Sequence, residues 1–318
     1  MPELAPTSFL DDWTRELRRC LREHGVRDAD ALEGRTVDLL YFAWLLRRIE
    51  DRPRRVREAQ GLIVPDQHAT GYAHMVAAAN AGGPLWPYQS RRLKRAESHD
   101  GMFNDWAIHH FHLGATLKGD GYVSRTKEVV LAIVGPDDLL VLDIRPHGSG
   151  HELLWVEEDL LEIVLENWPG LFRGLSLSVS GSELTRAQRR KLRGAGLNAT
   201  VTLSNGKTYG PPGGGQAASG ISVRAVQLGD RWAEAVEIVE AGVREQFASF
   251  VVEAKRHGVD VPDRAHLDLQ VRPDGVFAVL RGAEHVRWPL LEPPGPQRPV
   301  ERIGDFASRL AAERELET

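Results

Sequence analysis

At 318 residues with a formal net charge of −5, the chain is long enough for two domains and carries no bulk positive field for nucleic acid. Any basic function must be local. Hydrophobic residues at 42%, charged residues at 27% and eight Trp are those of a folded globular protein, not a disordered one. The single cysteine, Cys20, excludes a disulfide framework and a thiolate metal cage. The opening MPELAPTSFLDDW lacks a basic and then apolar leader, and no apolar run approaches a membrane span. A cytoplasmic protein with no membrane partner is expected, and the preference for Arg over Lys suits a GC-rich bacterial genome.

Residues 8–24 put Phe9, Leu10, Trp13, Leu17, Cys20 and Leu21 on one helical stripe, with Ser8 as N-cap and Gly25 as stop. Thr36–Gln60 reads as a second helical stretch. Its apolar face runs from Val37 to Ile49, and Pro53 kinks or ends it. Glu50, Asp51 and Glu58 interleave the arginines between Arg47 and Arg57, which predicts a solvated helix face. Pro65–Asn80 predicts a third helix, broken by Gly82, Gly83 and Pro84. These helices make an N-terminal segment, 1–85. Next, Trp86 and Tyr88 precede Arg91, Arg92, Lys94 and Arg95. Rings for stacking beside cations for phosphate are what a single-stranded nucleic acid requires, although so short a run also fits a solvated helical turn.

The segment Asp105–His151 gathers seven ionisable residues into three short runs that read as strands: His109, His110, His112, Asp143, Arg145, His147 and His151. Side chains alternate along a strand. An extended Trp106–Leu113 therefore places Ile108, His110 and His112 on one face, and His109, Phe111 and Leu113 on the other. Likewise Leu139–His147 aligns Asp143, Arg145 and His147. Gly114–Ser124 reads as a loop and Arg125–Val134 as a second strand, followed by a turn at Gly135, Pro136, Asp137 and Asp138 that makes the second and third strands antiparallel neighbours. A lone histidine on a strand is ordinarily structural. This constellation is different, because burying so many polar groups is costly unless each finds a partner. After Gly148, Ser149 and Gly150, a helix carrying Leu160, Leu161, Ile163, Val164 and Leu165 ends at Pro169. Residues 86–172 thus form an α+β core bearing the His/Arg cluster.

The third segment, 173–292, opens with a strand at Leu175–Ser180 and an Arg-rich helix at Glu183–Gly194. A hairpin then closes at Asn205 and Gly206. The run GPPGGGQAASG at 210–220 matches neither phosphate-binding fingerprint and reads as a mobile surface loop. Ile221–Leu228 is expected to be a strand and Asp230–His257 a long helix. His266–Leu280 reads as a hairpin across Pro273, Asp274 and Gly275, and 293–318 as a Pro-rich linker with a terminal helix at Arg302–Leu316. The expected fold class is α+β: N-terminal helices, a small antiparallel sheet with a flanking helix, and an α/β region with hairpins and one long helix.

The cluster suits RNA cleavage by transesterification without a metal. That reaction needs a base, an acid and a cation over the phosphorane, roles that His and Arg fill near neutral pH. His110, His112 and His147 supply acid and base, Arg145, Arg125 or Lys127 the clamp, and Asp143 lies on the same face. The order of helices followed by a small sheet with His and Arg on one face resembles the compact metal-independent ribonucleases of bacterial toxin systems, of RelE and colicin type. The resemblance covers about Trp86–Trp168. It implies an endoribonuclease of toxin or phage-defence character, with RNA as partner and no cofactor.

A second reading is a metal-dependent hydrolase or oxygenase. His110 and His112 with His147 or Asp143 have the spacing of a mononuclear Zn²⁺, Fe²⁺ or Mn²⁺ site. The Glu that follows His-x-His in cupins is missing from LGATLKGD, and Arg145 would stand as a fixed cation beside the ligands, so the metal-free chemistry is preferred. A third reading is a non-catalytic binding module of a bacterial defence or toxin–antitoxin system, with a cognate antitoxin or defence component as partner.

Overall fold

The computed structural model describes residues 1–34, 36–178, 184–272 and 275–291. The chain is α+β and divides into two compact units. One is continuous, Phe42–Val226, and the other joins Met1–Tyr41 to the chain from Gln227 onward.

The continuous unit is built on four strands: β1 (Arg55–Glu58), β2 (Ile108–His112), β3 (Glu128–Val134) and β4 (Asp138–Pro146), in the order β1-β4-β3-β2. β1 runs parallel to β4, whereas β3 pairs antiparallel with both β2 and β4. The register aligns His110 with Leu131 and Asp143, and His112 with Val129 and Arg145. A bulge between Leu131 and Ala132 shifts β4 by one residue. Among the described residues, the helices lying wholly within this unit are α1 (Ala69–Ala81), α2 (Gly101–Trp106), α3 (Asp159–Asn167) and α4 (Arg186–Gly194). On one face of the sheet, Ile108, Val129, Leu131 and Leu142 pack with Leu160, Leu161 and Val164 of α3. On the other, Phe111, Val130, Ala132, Leu139 and Val141 pack with Tyr72, Met75 and Ala79 of α1. A sheet buried on both faces leaves its polar side chains to emerge at strand ends.

The short helix α2 feeds β2. Asp100 caps it by accepting the Phe103 N–H at 3.1 Å, and Ala107, at φ 58°, turns the chain sharply from helix into strand. Helix α4 begins at a capping box in which Thr185 and Gln188 exchange side-chain and backbone hydrogen bonds.

Three expectations are corrected. The second helix stops at Arg47, and the Arg-rich run beyond it is not a solvated helix face. Pro53 ends helical geometry, β1 follows, and the buried guanidinium groups of Arg47 and Arg54 donate to main-chain carbonyls, among them Ala43, Ala96, Glu50 and Gly135. The Gly-rich run, expected as a surface loop, packs its main chain against α2. Gly213 donates to the Asp105 carbonyl at 2.7 Å and Gly215 to that of Asn104 at 2.9 Å. A Cβ at Gly213 would lie 2.4 Å from the Asn104 oxygen, so only glycine permits this approach. Finally, Ile221–Leu228 is not a strand. One helix runs Val223–Arg256 straight through Gly229, whose bare Cα lies against Leu39, where a Cβ would come within 2.9 Å of Leu39 Cδ2. The sustained apolar stripe outweighs the roughly 1 kcal/mol that one glycine costs a helix. Predicted features at 179–180, at Glu183, in the turn Pro273–Asp274 and across the terminal linker and helix lie outside the described residues.

In the second unit, the helix Phe9–Glu23 packs beside the antiparallel strands Leu267–Arg272, Gly275–Leu280 and Arg287–Leu291. Glu3–Leu4 pairs in parallel with Arg264–Ala265, and Trp13 stacks on Trp232 at 5.3 Å. Among the described residues, no helix is long and apolar enough to cross a membrane.

Helix α4 is tied to α2 by a buried ion pair. Arg193 Nε lies 2.5 Å from Asp105 Oδ2, and the guanidinium sits 4.8 Å over the Trp106 ring. Removing one member of such a pair strands the other in a low dielectric, at a cost of about 3–5 kcal/mol. Arg193→Met is expected to lower unfolding stability in urea by about that amount, and adding Asp105→Leu to recover most of it.

Candidate active site

β2 is an edge strand, and the end of β4 delivers His147 toward it. His110 and His147 line the same cleft, which has a volume of about 920 Å³, and their ring centres lie 6.2 Å apart. Trp155 closes the triangle at 5.2 Å from His110 and 6.1 Å from His147. His112 belongs to the group, with its ring 5.1 Å from His147, but it is 3% exposed and is set behind the cleft wall.

Main-chain groups of two consecutive residues orient two of these rings. His147 Nδ1 lies 2.7 Å from the Lys127 carbonyl. A carbonyl only accepts, so Nδ1 carries a proton and the lone pair of the neutral ring is on Nε2. His112 is the reverse: its Nδ1 accepts the Thr126 N–H at 3.3 Å, which places the proton of the neutral ring on Nε2. His110 has a carboxylate behind it, with Nδ1 3.6 Å from Asp100 Oδ2.

Burial depresses the basicity of His110 and His112. It pushes His112 down to about 3, assisted by His110, His147 and Arg125. It also lowers His110 below the usual imidazole value, against the opposing pull of Asp100, while His147, Arg92 and Arg125 add to the lowering. An anion entering the cleft would reverse the repulsive part of this balance.

The other expected residues divide between the cleft and its surroundings. Arg145 shares the sheet face but is held by carboxylates, at 2.7 Å from Asp143, 2.5 Å from Glu157 and 2.8 Å from Asp159. Neither it nor Asp143 lines the cleft. Arg125 does line it and is exposed, whereas Lys127 reaches the site through its carbonyl. The aromatic and basic run divides. Trp86 packs edge-on against Tyr122, Tyr88 packs on the core under α1, Arg91 pairs with Asp120 at 2.6 Å, and Lys94 donates to the Asp120 carbonyl. Arg92 lines the cleft, and Arg95 is exposed. His109 sits on the opposite strand face against Phe103, ring centres 4.6 Å apart, although it too reaches the cleft wall at the strand's open edge.

Sequence reasoning missed Asp100, Trp155, Arg190 and Arg193. For Trp155 the available signal was a large aromatic in a short run directly after the third strand.

Among the described residues, no three His, Cys, Asp or Glu side chains are grouped to hold a metal ion. The ring orientations agree, because neutral His112 carries its proton on Nε2 and has committed Nδ1, so it has no lone pair for a metal. No protein-family model, curated protein or solved structure matches the chain.

Burial holds His109 down to about 4, against 6.5 for a free imidazole. The unfolded chain therefore binds the proton more tightly, and this contribution to stability is fully present above pH 6.5 and is lost as pH falls through 6.5 toward 4. Its size is roughly 3 kcal/mol. Urea titrations are expected to show stability falling across that window, and His109→Leu to fall less steeply.

Proposed function

We propose that the cleft is the active site of a cytoplasmic, metal-independent endoribonuclease of toxin or defence character. One observation carries this reading: two histidines with different backing groups line one arginine-bearing cleft with ring centres 6.2 Å apart, close enough for both to serve one phosphodiester held against them.

His147 is the base. Its lone pair at Nε2 takes the proton of the ribose 2′-hydroxyl as that oxygen attacks phosphorus. The P–O2′ bond forms, the P–O5′ bond breaks, and the departing O5′ takes a proton from cationic His110. The products are a 2′,3′-cyclic phosphate and a 5′-hydroxyl, with one proton gained at His147 and one lost at His110. Asp100 suits His110 to the cationic role, and the bound phosphate favours that cation as well. Arg125 offers donors to the non-bridging oxygens. His112, kept neutral, avoids adding another cation beside His147 and acts as a positioning residue.

The test is cleavage of a defined RNA in chelator, with the product ends identified. Activity is expected to persist, and His147→Ala and His110→Ala are each expected to lower kcat by about 10²–10⁴-fold. Loss of activity in chelator that Zn²⁺ restores would replace this reading with the metal-dependent one. The free enzyme must hold His110 protonated and His147 unprotonated. Burial lowers the His110 pKa, so its cationic form is lost as pH rises through a value below the ordinary imidazole 6.5. His110→Ala is expected to flatten one limb of the pH profile of kcat/KM.

A further inference from the structure

Trp155 has a placement that acid–base chemistry does not require. It is the one aromatic side chain other than histidine lining the cleft among the described residues, and it is half-buried there rather than sealed in the core. Its turn, Glu152–Val156, is anchored on both sides by Leu154 and Val156, which are 3% and 1% exposed, and its carbonyl is held by the Arg193 guanidinium. An indole fixed this way loses little entropy when a flat ligand settles on it. Around it, Arg92, Arg125 and Arg190 are exposed, line the same cleft, and make no salt bridge among the described residues. Arg92 and Arg125 lie near enough to His110 to oppose its protonation.

We propose that this cleft takes single-stranded RNA, with the base beside the scissile phosphate stacked on Trp155 and the flanking phosphates carried by Arg92, Arg125 and Arg190. This rests on the ribonuclease reading and adds the form of the substrate. Stacking faces next to unpaired cations suit a single strand. A duplex keeps its bases stacked internally and offers Trp155 no free face. His110 lies well below the surface, with its side chain 16% exposed, so the phosphate must descend into the cleft, which a flexible strand can do.

The test uses the full chain with His147→Ala to silence cleavage, and a fluorescent oligouridylate of about a dozen residues, presented alone or annealed to oligoadenylate. The single strand is expected to bind at least about tenfold more tightly than the duplex. Trp155→Leu, which keeps an apolar wall but removes the ring, is expected to weaken single-strand binding by about tenfold or more, while Trp155→Phe stays within a few-fold. Equal affinity for both forms, or a folded Trp155→Leu protein with undiminished single-strand affinity, overturns the proposal. The two readings separate in this experiment. Trp155-dependent binding by a protein whose wild type cleaves no RNA sinks the ribonuclease reading alone. Cleavage indifferent to Trp155 sinks only the stacking platform.

Discussion

The Arg193 guanidinium reaches three groups on two distant segments: the Asp105 carboxylate at the end of α2, the face of Trp106 beside it, and the Trp155 carbonyl. Its own carbonyl accepts the Gln216 side-chain amide at 2.6 Å, which brings in the Gly-rich loop. Both charges are buried, so solvent and salt screen their attraction poorly. Apolar packing alone would tolerate sliding among these segments. A planar guanidinium with directed donors does not, and the walls of the cleft therefore share one angular reference.

That rigidity matters because the site works with protons. Thr126 offers an N–H and Lys127 a C=O, and those two adjacent main-chain groups give His112 and His147 opposite arrangements of lone pair and proton. Neither assignment depends on a mobile side chain. Arginines and imidazoles outnumber the carboxylates of Asp100 and Glu152 along the cleft, which disfavours further positive charge there and suits an anion.

Much of this was legible as period-two alternation. The shared face of His110 and His112, that of Asp143 and Arg145, and the hairpin joining β3 to β4 follow from strand geometry, whereas the register that lines the two pairs up across β3 is set by tertiary structure. Alternation, however, reports only the face of a sheet, not what lies above it. Glu157 and Asp159, a dozen residues beyond Arg145, take its charge, and no local pattern announces that. His112 and His110 share a face, yet depth separates them. Gly213 and Gly229 look like punctuation in sequence, but each is small because something else passes close by. Trp155 and Arg193 stand inside segments whose periodicity speaks only of helix or turn, and their role comes from tertiary approach.

The interruption of one unit by the other has a consequence for biosynthesis. Asp12 accepts the backbone N–H of Leu269, 257 residues away, and Glu3–Leu4 waits for Arg264–Ala265. The continuous unit ends at Val226. Domains form as the chain emerges, and contacts of long sequence separation close last. On a translating ribosome, every residue that lines the cleft has therefore been made while the protein's own first helix still lacks the strands it packs against.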